Sequence, residues 1–325
     1  MSTHNDTEAV HQKLRAALQY STGDPASDEM MRETIRAGVV RDDFELMNIF
    51  EQEVGPEQAE VDLHLDGPGV QGHSTNAKQF SDFISGISEA VKQTAKYRSG
   101  KERYSEDLLI EGATPGSVRV VLKVPPRAVT PGQTVDTETS ASTVDSEALR
   151  SIASILTHAS DPDPESPLIA EVADLPPQAR TGLLRAIRTT REAGWTVSGT
   201  VKQRKVGLQQ VELSSAGATR LSIELKSSVD KVTFETATGK IDGFRRSLGS
   251  LYFIPDGRPP VIANVIDSTL ASKVTALFGD PDLEVRVRFK VTESHLPGDA
   301  KQTRKTRTLE MIERVEPQGD LFASD

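Results

Sequence analysis

Residues 283–291 read LEVRVRFKV, and they say more about the fold than any other stretch. Val285 and Val287 alternate with Arg286 and Arg288, the period-two pattern of a strand with one buried and one exposed face. Residues 306–315 repeat it, with Leu309 and Met311 set against Glu310. Upstream, Leu270, Val274 and Leu277 place one apolar face on a helix over residues 268–278. Three further strands are expected before that helix, at 232–241, 250–254 and 261–266. The last two are parted by the turn Pro255-Asp256-Gly257.

Three strands, a helix and two strands is the element order of the OB-fold, a small Greek-key barrel with its helix between the third and fourth strands. The likeness covers residues 229–317 and rests on element order alone. The expected barrel core is Val232 or Phe234, Phe253 or Tyr252, Ile262, Val274, Leu277, Val285, Val287, Leu309 and Met311.

Outward from the barrel, the pattern is that of an α+β protein, with N-terminal and central helices on a small mixed sheet. Helices are expected over the first 55 residues, from Val10, Leu14, Ala17 and Leu18 and from a capping box of Asp42 with Glu45. Val61, Leu63 and Leu65 alternate with Asp62, His64 and Asp66 in a half-buried strand. Phe80, Phe83, Ile84, Ile87, Ala90 and Val91 form the strongest helical stripe. Strands at 108–110 and 118–124 follow, then a helix carrying Leu149, Ile152, Ile155 and Leu156, and another over 178–193. A hairpin is expected from strands near 195–202 and 210–213. Residues 214–226 fit a helix or a strand, with the helix preferred. The expected organisation is an α+β domain at 1–125, a Ser/Thr/Pro-rich linker or loop at 126–143, a segment at 144–228 completing the first domain, the barrel at 229–317 and a disordered tail at 318–325.

The chain of 325 residues has no cysteine, which excludes disulfides, thiolate metal sites and cysteine nucleophiles. It contains no apolar run of membrane-spanning length and no secretory pattern at its start. A cytoplasmic location without membrane association is therefore expected. The formal net charge is −10, yet residues 231–325 carry 14 basic and 14 acidic side chains, so the acidic excess lies upstream.

Three features could carry chemistry. Asp62, His64 and Asp66 share one strand face, with His73 nearby, and could aim oxygen and nitrogen ligands at a metal ion. Alternation alone also demands polar residues there, and that reading is preferred. The loop at 112–117 holds two glycines and could cradle an anion, but a strand follows it, so a hairpin connection is preferred. Basic residues form the third feature. Arg180, Arg185, Arg188 and Arg191 fall in one arc of a helix, followed by Lys202, Arg204 and Lys205. On the barrel, Arg245, Arg246, Arg304 and Lys305, with Lys301 and Arg307, stand near Phe244, Tyr252 and Phe253, an arrangement that could track phosphates while rings stack on bases.

No catalytic or phosphate-loop motif is present, and no cofactor is expected. The expected function is therefore a non-catalytic interaction or regulatory protein of the bacterial cytoplasm, with a protein partner bound by the barrel. The alternatives are a single-stranded DNA- or RNA-binding protein using the barrel and the basic helix, and a metal-dependent hydrolase at Asp62, His64 and Asp66. Salt separates the first two, because phosphate contacts weaken steeply with ionic strength.

Overall fold

The computed structural model describes residues 3–101, 104, 107–111, 118–126, 142–163, 166–246, 248–280, 283–295 and 303–315. The linker expected at 126–143 falls largely outside these residues. The loop at 112–117, Lys301 and the tail at 318–325 fall wholly outside them. The architecture is α+β with a closed five-stranded barrel in the C-terminal region. The chain divides into two units, each made of two segments: Met1–Ser160 with Pro176–Thr219, and Asp161–Leu175 with Arg220–Asp325.

The first unit opens with helices α1 (Thr3–Gln19), α2 (Pro25–Ile35) and α3 (Phe44–Val54), with a π-helical turn at Arg36–Val40 before α3. Leu14 and Leu18 of α1 pack with Val40, Ile49 and Phe50 in a small core of their own. The α3 cap is Asp43, not the expected Asp42. Asp43 has extended backbone and its carboxylate accepts the Leu46 N–H at 3.0 Å, the geometry an N-cap requires.

A five-stranded sheet follows in the order β4-β5-β1-β6-β7. Its members are β1 (Glu60–Asp66), β4 (Leu109–Glu111), β5 (Val118–Lys123), β6 (Thr196–Gln203) and β7 (Gly207–Leu213). Every neighbouring pair in it is antiparallel. A two-stranded hairpin, β2 (Val70–Gln71) and β3 (Ser74–Thr75), lies between β1 and helix α4 (Ala77–Ser99) in sequence. Val61, Leu63 and Leu65 are buried as the alternation requires, as are Phe83, Ile84, Ile87, Ala90 and Val91 of α4. Helices α5 (Val144–Ser160) and α7 (Pro177–Ala193) also bury apolar faces, including Ile152 and Leu156 on α5 and Leu183 and Ile187 on α7. Trp195, just after α7, meets Phe83 edge to face at 6.0 Å. Helices α4 and α7 cross at Gly86 and Gly182, where a Cβ on Gly86 would lie 2.8 Å from the Gly182 carbonyl oxygen. The ambiguous stretch after β7 is helix α8 (Ser215–Glu224).

In the second unit, helix α6 (Leu168–Asp174) precedes the barrel strands β8 (Ser228–Arg245), β9 (Ser250–Pro255), β10 (Val261–Asn264), β11 (Glu284–His295) and β12 (Arg304–Arg314). Helix α9 (Ser268–Leu277) stands between β10 and β11. The barrel closes in the order β10-β12-β11-β8-β9. β10 and β12 run parallel at Asn264↔Thr308, and the other pairings are antiparallel. First strand beside second and fourth, with third and fifth parallel, is the OB-type closure that the element order implied.

Its core holds Leu251, Phe253, Ala263, Val274, Val285, Val287, Phe289, Val291, Leu309 and Ile312. Several expected core residues lie elsewhere. Val232 and Phe234 are 45% and 54% exposed, because Thr233 and Glu235 stand opposite the buried Val291 and Phe289 and so share the inner face. Ile262 is outside because it pairs with Tyr252, while Ala263 pairs with the buried Leu251. Met311 is only half-buried. A bulge leaves Glu310 unpaired and sets Met311 opposite Arg288, so Ile312 takes the inward place opposite Val287. One extra residue flips every later side chain to the other face.

Candidate interaction surface of the barrel

The basic residues of the first unit do not form one continuous face. Arg185, Arg188 and Arg191 are exposed on α7, and Arg188 reaches Glu192 at 3.6 Å. Arg180 is half-buried, and burial pushes its guanidinium below the ordinary arginine range. Lys202 alternates with Val201 on β6 and so leaves the sheet on the side away from the core. There it meets Glu60 at 3.1 Å, beside Lys123, which also binds Glu60 at 3.1 Å. Arg204 donates through Nε to the Gly55 carbonyl at 3.0 Å and lies 3.7 Å from Glu57. Lys205 occupies the β6–β7 turn with φ 66°, and its backbone N–H donates to the Gln52 carbonyl. Arg204 and Lys205 thus tie the end of α3 to the hairpin.

The polar face of β1 is likewise committed. Both Asp62 carboxylate oxygens accept from Arg119 on β5, one from Nε at 2.7 Å and the other from Nη2. His64 stands level with Arg119 and Ser198, while Asp66 and His73 are exposed. Among the described residues, no group of three His, Asp or Glu side chains is arranged to hold a metal ion.

On the barrel, the cations singled out from the sequence already face carboxylates of their own unit. Arg245, at the end of β8, meets Asp163 at 2.9 Å. Arg304 makes a two-pronged contact with Glu224, at 3.0 and 2.9 Å. Lys305 pairs with Glu293 at 2.7 Å and Arg307 with Glu235 at 3.3 Å. Lys290, which sequence reasoning did not single out, binds Asp174 at 2.7 Å. Asp163, Asp174 and Glu224 all precede the barrel in sequence, so the upstream segments of this unit supply the countercharge. Arg246 is exposed in the loop between β8 and β9.

The aromatic side chains divide as strand alternation demands. Phe253 enters the core and meets Phe289 edge to face at 5.7 Å, and Phe244 packs against the same core. Tyr252 faces outward and is half-buried, directly opposite Ile262 on β10. On its other side stands Gly243 of β8, whose missing side chain leaves the tyrosine ring room to lie across the strand. Two residues along β9, Ile254 also points out, beside Lys240 of β8. Ile254 and Ile262 are 41% and 45% exposed, so β9 and β10 present two large apolar side chains to solvent beside the half-buried Tyr252.

Sequence alternation could have revealed this surface had the register of β10 been placed one residue later. A second exposed ring, Phe234, is covered differently: the Arg288 guanidinium sits 4.6 Å from its centroid, a cation–π contact that caps its face. No family model, no curated protein and no solved structure matches this chain, so its role must be read from these surfaces.

Proposed function

We propose that this protein is a non-catalytic interaction or regulatory protein of the bacterial cytoplasm, whose barrel binds a protein partner through Tyr252, Ile254 and Ile262. One observation carries the reading. On the outward face of β9 and β10, Ile254 and Ile262 are exposed beside the half-buried Tyr252, while the barrel cations Arg245 and Arg304 are held by Asp163 and Glu224. An exposed cluster of large apolar side chains with a polar surround is the usual mark of a protein-binding patch. A phosphate track needs cations available to the backbone of the strand it follows. The cytoplasmic assignment draws support from the absence of cysteine, and no helix among the described residues is long and apolar enough to cross a membrane.

The test compares wild type with the double variant Ile254→Asp/Ile262→Asp, both folded by circular dichroism. A host protein captured by the wild type should be lost by the variant and should rebind as a purified component, with affinity nearly unchanged between 50 and about 300 mM salt. The competing reading, single-strand binding, is favoured by Tyr252 beside the Arg246 loop. It requires a fluorescent oligo-dT strand to bind wild type at low salt with a steep salt slope. Strand binding that survives the double Asp variant would replace the protein-partner reading.

A further inference from the structure

β8 is the longest barrel strand, and its two sides are unequally used. On one side it pairs with β11 from Ser228 to Lys240. On the other, β9 covers only Gly239–Arg245, and the Asp256 N–H reaches the Thr238 carbonyl at 2.9 Å. Among the described residues, no strand pairs with that second side of β8 between Lys231 and Ala237. The Thr238 contact fixes which backbone groups line this edge. Successive residues of a strand turn their N–H and C=O to opposite sides. Thr236, Phe234 and Val232 therefore aim theirs away from β11, whereas Ala237, Glu235, Thr233 and Lys231 aim theirs at it. The side chains of Val232, Phe234 and Thr236 are exposed as well. No proline and no bulge interrupts residues 231–237, so the edge lacks two of the usual guards against pairing with another chain.

We propose that a second copy of this chain adds its own β8 to this edge, antiparallel, about a two-fold axis at Thr233. The sequence Lys231-Val232-Thr233-Phe234-Glu235 is complementary to itself in that register. Val232 stands opposite the partner's Phe234 and Lys231 opposite the partner's Glu235, each pairing occurring twice by symmetry. Apolar and opposite-charge pairs of this kind are what stabilise neighbouring strands. Moving the axis to Glu235 sets like charges opposite each other, and moving it to Phe234 leaves Lys231 opposite the partner's Ala237. In the Thr233 register, the outward N–H and C=O groups of Val232 and Phe234 exchange hydrogen bonds across the axis. The two Thr233 residues form the non-bonded kind of pair, with Cα atoms about 4.5 Å apart. Glu235 turns to the inner face, where a lone charge would oppose pairing. It already meets Arg307 at 3.3 Å and its side chain is 43% exposed, which leaves its carboxylate room for the partner's Lys231. The pairing takes no residue from the Tyr252, Ile254 and Ile262 surface, so it goes beyond the proposed function and stands or falls apart from it.

The full-length protein supplies the test. Light scattering at tens of micromolar should give the mass of a dimer. Val232→Pro removes an N–H that β11 does not use, so the chain should keep its circular dichroism spectrum while its dimer dissociates at least tenfold more readily. The absence of cysteine allows a second measurement, which decides alone should Val232→Pro fail to fold. Thr233→Cys puts one thiol per chain on the axis, at a separation that a disulfide can bridge. Under oxidised glutathione it should link two chains at least tenfold faster than Thr236→Cys, which is exposed but three positions off the axis. Phe234→Cys marks the neighbouring register and should also link slowly. A monomeric wild type, a dimer unaffected by Val232→Pro in folded protein, or linking at 234 or 236 as fast as at 233 would each overturn the proposal.

Discussion

Two carboxylates in the N-terminal helices should respond to pH in opposite directions. Asp28 accepts hydrogen bonds from the Ser21 hydroxyl, the Thr22 hydroxyl and the Thr22 N–H at 2.6, 2.6 and 2.7 Å. These hold its pKa at about 2, below the unfolded value of about 3.9. Its contribution to stability is therefore present above pH ~4 and lost as pH falls towards 2. Asp28→Asn should flatten the stability–pH curve across that window, as read from urea midpoints. Glu51 is buried on α3, and burial pushes its pKa up despite Lys202 and Arg36 nearby. A raised carboxyl costs stability when ionised, so Glu51→Gln should raise the urea midpoint at neutral pH. The gain should shrink as acid protonates the native glutamate. A variant less stable than wild type at neutral pH would mean that the Lys202 and Arg36 attractions outweigh burial.

Among the elements, the crossing of α4 and α7 depends on two missing side chains. A Cβ on Gly182 would lie 2.9 Å from the Ala90 nitrogen and 3.1 Å from the Gly86 carbonyl oxygen, so the helices could not keep their spacing. Gly182→Ala gains up to about 1 kcal/mol in helix propensity, and overpacking should cost about 1–3 kcal/mol. A net loss in chemical denaturation is expected, and a larger one for Gly182→Val. Gly38, with nothing within 4 Å of its ideal Cβ, is the control, and Gly38→Ala should not destabilise.

The elements were legible wherever one residue pattern had a single answer. The α4 stripe and the Val61, Leu63 and Leu65 row were such cases. Helices α2 and α6 did not stand out, being only 11 and 7 residues long. Barrel facing failed where local pattern and register disagree. β8 carries Val232 and Phe234 outside and Thr233 and Glu235 inside, and the Glu310 bulge resets β12. Those reversals come from pairing with distant strands, which the local sequence does not display. For the same reason the basic residues could be found in sequence, but their partners Asp163, Asp174 and Glu224 could not.

On the scale of the whole molecule, the ion pairs of Asp163 and Asp174 make a further expectation. A fragment of residues 220–325 keeps every barrel strand but lacks the segment that meets Arg245 and Lys290. If it folds, it should bind a polyanion such as heparin more tightly than the full chain does, with a steeper salt dependence. Equal affinity for the two, measured by salt elution, would show that those carboxylates do not restrain the basic surface.

The interleaving of the two units also bears on how the chain is made. Asp161–Leu175 belongs to the second unit, yet it leaves the ribosome before Pro176–Thr219, which the first unit still needs. The first unit cannot close its sheet until β6 and β7 have emerged, because β1 pairs with β6. Residues 161–175 must then wait for the barrel. At about 5–20 residues per second, translating the remaining hundred or so residues takes roughly 5–20 s. Through that interval α6 has no barrel to pack on, so nascent chains stalled near residue 225 should be cut by protease within 161–175 and should resist once the chain is released.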